Sequence, residues 1–176
     1  MIENINFKIV FNIIGFYICW WSTIYSVSID YYFIGPLAIF LFLIIHFYKV
    51  VNHRKEDIFL LICFILGALI ETTLLNFNII IHNGILTKYH IAPLWSIMLW
   101  VCFGATLYHS FKWMSQRYIE SSILGALLAP IVYFSFRSFG IVEFGNNNLI
   151  TSVAVSIIWG FFIPLFIKIS DRKLNI

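Results

Sequence analysis

Glu71 is the residue whose type and setting carry the most chemistry. It stands in the apolar run from Ile58 to Phe77, four residues after Gly67, and is followed by Thr72, Thr73 and Asn76. An ionisable group in the middle of such a run costs about 2.5–3.5 kcal/mol on membrane-insertion scales, so it should face an interior and have a use there. Counting inward from the end of each apolar run at about 1.5 Å per residue, Trp20, Trp21, Trp95, Trp100, Tyr133 and Trp159 fall at the depth of Glu71. If these rings converge, they wall a pocket with one acid in it, suited to a hydrophobic ligand. The plainer expectation is that Trp and Tyr gather at membrane interfaces without any pocket, and that a buried Glu hydrogen-bonds a neighbouring helix.

Arg137 is the second unusual charge. It lies near the end of its apolar run, about a turn and a half before Glu143, and is expected to snorkel outward and pair with Glu143 or Asp30. At the other ends of the runs gather His46, Lys49, His53, Arg54, Lys55, His109, Lys112 and Arg117. Basic collars of this kind follow from membrane orientation alone, and they also attract anionic head groups; His46, Lys49, His109 and Lys112 are the candidates for that contact. The His spacing contains no HxxxH or HExxH, and there is no Gly-rich phosphate loop, no GxSxG elbow and no Lys in the middle of a run. Cys19, Cys63 and Cys102 fall within apolar runs without CxxC spacing and are expected to be core residues. Neither a metal nor a cofactor is expected from these patterns. Gly67 and Gly125 are expected to be points of close helix packing.

The elements that must position these groups follow from composition. Of the 176 residues, 61% are apolar and 11% charged, with a mean hydropathy of +0.93. A soluble domain carries roughly 45–50% apolar and about 25% charged residues. Nucleic-acid binders, soluble signalling domains and soluble catalytic folds are therefore set aside, because this chain lacks the polar surface to face water all round. About 20 helical residues cross a hydrocarbon core of about 30 Å, and six stretches qualify, 7–28, 31–48, 58–77, 92–111, 121–139 and 149–167. The expected fold is an all-α integral membrane protein, a single bundle of six transmembrane helices spanning 1–176. Nine of the eleven Lys and Arg (Lys8, Lys49, Arg54, Lys55, Lys112, Arg117, Lys168, Arg172 and Lys173) lie on one side of it, with Lys88 and Arg137 on the other. The positive-inside rule then places both termini in the cytoplasm. The first run is too long for a secretory signal core and lacks a small-residue cleavage site, so it reads as an uncleaved helix.

Two strings recur in order. His46-Phe47-Tyr48-Lys49 is followed by Ile65-Leu66-Gly67-Ala68-Leu69, and His109-Ser110-Phe111-Lys112 by Ile123-Leu124-Gly125-Ala126-Leu127. They would relate the second and third helices to the fourth and fifth as parallel hairpins, and repeat interfaces are where transporters place their sites.

The run Ala92-Pro93-Leu94-Trp95, with Leu99-Trp100, Phe103, Leu107, Ser110 and Trp113, resembles the central signature of the bacterial inner-membrane family known as domain of unknown function 2878. Asn12, Trp20 and Trp21 fit the same pattern, as do Gly67, Gly84, Gly125-Ala126 with Pro130 and Tyr133, Arg137 with Gly140, and Trp159 with Pro164. That pattern has Asp where this chain has Glu71, which keeps the acid, and Gly where it has Ala129, which bears on a close helix contact. The resemblance implies a multi-pass protein of the bacterial inner membrane without an established activity. Family genes lie near those for cyclopropane-type fatty-acyl-phospholipid synthases and flavin-dependent oxidases, an association with lipid modification by neighbourhood alone.

Three functions are compatible with these features. The first is an accessory or binding protein for membrane lipid or another hydrophobic molecule, with Glu71, Trp20, Trp21, Trp95, Trp100, Tyr133, Trp159 and Arg137 as the binding residues. The second is a small transporter or permease with Glu71 as the coupling acid. The third, a lipid-modifying enzyme, is the weakest, because a lone carboxylate without nucleophile, metal or second acid gives no recognisable reaction. Membrane lipid is the expected partner, with other membrane proteins or a second copy of the chain as further candidates and nucleic acid excluded.

Overall fold

The computed structural model describes residues 7–51 and 55–174. Six helices follow the six apolar stretches: α1 (Phe7–Ser28), α2 (Ile34–Lys49), α3 (Lys55–Asn76), α4 (Leu94–Ser110), α5 (Tyr118–Ser138) and α6 (Asn148–Leu174). Their ends have local causes. After α1, Asp30 takes a φ of 64°, the left-handed region that Asp tolerates better than most residues. α3 begins three residues before its hydropathy does, because Glu56 and Asp57 in its first turn suit the positive end of the helix dipole. Pro93 precedes the first residue of α4, and α6 runs to Leu174, past the expected end at 167. His53 and Arg54 of the basic collar lie outside the described residues.

Four segments, Lys8–Ser28, Glu56–Asn76, Tyr118–Ser138 and Asn148–Asp171, are long and apolar enough to cross a membrane. α2 is apolar but has 16 residues, and α4 has 17. The distribution of side chains is inverted relative to a water-soluble bundle. Ile14, Ile18, Leu127, Ile131 and Ile157 are exposed, whereas Asn12, His46, Glu56, Glu71 and His82 are buried. That arrangement, with four long apolar helices, is compatible with a multi-pass membrane protein.

α4 is the central helix. It packs along α3 and α1 and touches α2 and α6, and between Trp95 and Tyr108 all its residues except Met98 and Phe103 are buried. The two glycines of the recurring strings do pack closely. A Cβ on Gly67 would stand 2.6 Å from the Trp100 side chain on α4, and one on Gly125 would stand 2.7 Å from the Trp159 carbonyl on α6. Trp100 and Trp159 stack on each other with centroids 4.5 Å apart, so the two glycine contacts fall at residues whose rings are paired.

α5 and α6 are each interrupted by an internal proline. Pro130 has no N–H for the carbonyl of Ala126, and Pro164 none for that of Gly160, which in hydrocarbon would leave costly unpaired acceptors. The two helices repair each other. Ser156 Oγ donates to the Ala126 carbonyl at 2.7 Å, and Ser122 Oγ donates to the Gly160 carbonyl at 2.6 Å.

At one end of the bundle a two-stranded antiparallel sheet joins the α3–α4 and α5–α6 connections. Its strands are β1 (Ile80–His82) and β2 (Val142–Phe144), with Ile80 opposite Phe144 and His82 opposite Val142. Asn83 Nδ2 donates to the Gly140 carbonyl, and Trp95 Nε1 donates to that of Asn83. At the opposite end Asp171 of α6 accepts hydrogen bonds from Ser115 Oγ, the Gln116 backbone N–H and the Tyr118 hydroxyl, which fix the α4–α5 connection.

Candidate functional site

A cavity of about 400 Å³ lies between α1, α4, α5 and α6, within the size range of small-molecule sites. Its walls are aromatic and aliphatic. It runs from Glu71, His82 and Trp95 at the sheet end to Leu107, Phe111 and Met114, and Trp95 to Leu107 alone spans about 18 Å of helix. Tyr17 of α1 and Leu128 of α5 both line it, yet they are 60% and 48% exposed. The cavity therefore reaches the outer surface of the bundle sideways, between α1 and α5. Nearer the sheet those helices are bridged by Trp20 stacked on Phe136 at 4.9 Å.

The polar end is built around Glu71, 4% exposed. Its Oε1 accepts hydrogen bonds from Trp100 Nε1 and from the Tyr133 hydroxyl, both at 2.8 Å. Its Oε2 lies 2.7 Å from His82 Nε2. Helices α3, α4 and α5 and strand β1 thus meet at one carboxyl group. His82 Nδ1 is buried and has no hydrogen-bond partner among the described residues. One proton must lie between Oε2 and Nε2, whichever of the two carries it.

Six of the residues singled out from sequence, Glu71, Trp20, Trp95, Trp100, Tyr133 and Trp159, border this cavity. Trp21 does not; it is 50% exposed and meets Phe139 edge to face. The two tryptophans are consecutive in a helix, so they point about 100° apart and one of them must leave the cavity. Arg137 is also elsewhere. It is exposed, donates to Asn148 Oδ1 at 2.6 Å and lies over the Phe144 ring. Among the described residues it makes no ion pair with Glu143, which sits exposed in β2, or with Asp30, which accepts from the Tyr32 hydroxyl. The acid's actual partner, His82, lies outside the hydropathy runs and has no helical period to mark it. The alternation of β1 brings it in, since Ile80 and His82 share the buried face.

The four residues considered for head groups divide into two pairs. Lys49 and Lys112 are exposed, with the Lys49 ammonium over the Tyr48 ring. His46 and His109 turn inward instead and meet on Glu56. His46 Nε2 lies 2.6 Å from Glu56 Oε1, and His109 Nε2 lies 2.9 and 3.0 Å from its two oxygens. His46 Nδ1 is 2.8 Å from Asn12 Oδ1. Glu56 was hidden in sequence within the charged stretch before the third apolar run, and its inclusion in α3 is what buries it.

The profile of the family described as Protein of unknown function (DUF2878) matches residues 9–165. The chain belongs to this family. No curated protein and no solved structure matches the chain. Every residue of the Glu71 and Glu56 clusters lies within the span matched to DUF2878.

Proposed function

We propose that this DUF2878 protein is a six-span protein of the bacterial inner membrane, with both termini cytoplasmic, that holds the apolar chain of a membrane lipid or similar hydrophobic molecule. The observation that carries the proposal is the cavity: long, apolar-walled, open sideways where bilayer chains would be, and polar at one end. A lipid chain entering between α1 and α5 would leave one apolar medium for another, and the fixed rings would supply contact without the entropy cost of ordering flexible side chains. Glu71 and His82 would orient the ligand's polar end. Nine of eleven basic residues support the orientation. At about 24–26 Å, α2 and α4 are short for a hydrocarbon core, a mismatch that bilayers accommodate by local thinning.

One observation favours a second function. Glu71 is paired with a buried imidazole, so it is no longer a lone carboxylate. A carboxylate that orients a histidine is the usual support for a general base, and here it would act on a cavity-bound lipid. Of the lining hydroxyls, Ser96 Oγ donates to the Pro93 carbonyl and that of Tyr133 to Glu71, and neither is paired with His82. Lipid binding is therefore preferred to chemistry. A coupling role in transport would require Glu71 to exchange its proton, against the three groups that hold it.

Purification of the full-length protein from native membranes, followed by lipid extraction, tests the proposal. Wild type should retain lipid through detergent exchange, and Val132→Trp, which fills the cavity from α5, should lose most of it while staying monodisperse. Equal lipid in the two proteins, or none in wild type, contradicts the proposal. Glu71→Gln should keep the lipid, whereas a proton-coupled flux would vanish with that change.

A further inference from the structure

We infer that His46, Glu56 and His109 form a binding site for one divalent transition-metal ion, at the end of the bundle opposite the Glu71 pocket. The three residues come from the last turn of α2, the first turn of α3 and the last turn of α4. Their ligand atoms all lie within 4.8 Å of one another. Their side chains are 0%, 2% and 16% exposed, so two are fully removed from water and the third gives solvent access to the cluster.

Convergent geometry is what suits the cluster to a cation. The side-chain amide of Asn12, with Oδ1 at 2.8 Å, holds His46 Nδ1 and so turns Nε2 toward Glu56. His46 Nε2 lies 2.6 Å from Glu56 Oε1. His109 Nε2 faces both oxygens of the same carboxylate. Three groups of ligating type thus converge on one largely buried spot, and one metal ion there takes all three at once. Asn12 plays the part of the outer partner that ligating histidines have, holding the other ring nitrogen and aiming Nε2 inward.

Two imidazoles and one carboxylate select zinc-class and iron-class divalent ions over magnesium or calcium. Metal–ligand bonds of about 2.0–2.2 Å place tetrahedral ligands about 3.3 Å apart. The 2.9 and 3.0 Å separations at His109 are already close to that, and rotation of the carboxylate opens the His46 side. Three protein ligands leave a fourth position for water or an anionic group. The His109 edge is where such a group would arrive. Spacing alone could not show the site, because positions 46, 56 and 109 form no helical pair and meet only through the packing of three helices.

The full-length protein, purified in detergent with a metal-free affinity tag and without chelator, should contain a stoichiometric first-row metal by elemental mass spectrometry. After stripping, titration with Co²⁺ should produce the visible bands of a four- or five-coordinate site, displaced by Zn²⁺. Glu56→Gln and His109→Gln should abolish the bands, Asn12→Ala should weaken binding about 10–100-fold, and His82→Gln should leave it unchanged. Should Glu56→Gln fail to fold, His109→Gln at the solvent-facing ring carries the test, with size exclusion confirming its folded state. Folded wild type that neither retains metal nor develops Co²⁺ bands overturns the site, as does unchanged binding in folded His109→Gln.

Discussion

At Glu71, removing the group and neutralising it should have different consequences. The amide oxygen of Glu71→Gln can still accept from Trp100 and Tyr133, and its NH₂ can meet His82 Nε2. Its cost should be about 1 kcal/mol or less. Glu71→Leu leaves the Trp100 and Tyr133 donors buried without a partner, each worth about 1–3 kcal/mol. Unfolding in a denaturing detergent, followed by tryptophan emission, should separate the two variants clearly; equal stability would mean that the network does not hold the carboxyl group. Depth counting in the sequence placed this acid among its rings correctly, because every helix advances by the same rise. It could not choose between Trp20 and Trp21, since rotation about the helix axis is set by packing, and it could not find His82, which a strand delivers.

Among the elements, α5 and α6 depend on each other through their prolines. Ser122→Ala and Ser156→Ala each strip a carbonyl of the donor that replaces a missing backbone N–H. Hydrogen bonds between membrane helices average about 0.6 kcal/mol and reach about 1.7, and these two should fall in the upper part of that range because the acceptors have no helical alternative. Combined with Pro130→Ala, which restores the N–H, Ser156→Ala should lose most of its effect. Additivity of those two changes would contradict the exchange. Hydropathy located all six helices, because a long apolar run is a local property. The three-residue strands β1 and β2 were not legible, since their pairing joins segments about sixty residues apart and neither has enough length to show a period. Glu56 was missed for a related reason: hydropathy starts α3 at 58, and the one turn before it holds the acid.

For the whole molecule, the charge bias and the inverted surface predict a definite orientation. Cys19, Cys63 and Cys102 are free and buried, so introduced cysteines should report against a silent background. Asn146→Cys, beyond β2, should react with a membrane-impermeant maleimide in intact cells once the outer membrane is permeabilised. Gln116→Cys, in the α4–α5 connection, should react only after the inner membrane is opened. The reverse pattern would invert the topology and place the Glu71 end of the cavity at the cytoplasmic face.

The cavity's occupancy is tested most directly by photolabelling in the native membrane. A lipid carrying a photoreactive acyl chain should label Leu99, Leu107 and Val132, which line the cavity and are buried or half-buried, as well as the outward-facing Ile13, Ile123 and Ile157. Excess unlabelled native lipid should compete away the first group and leave the second. Labels confined to Ile13, Ile123, Ile157 and their outward neighbours would show that no lipid chain enters between α1 and α5.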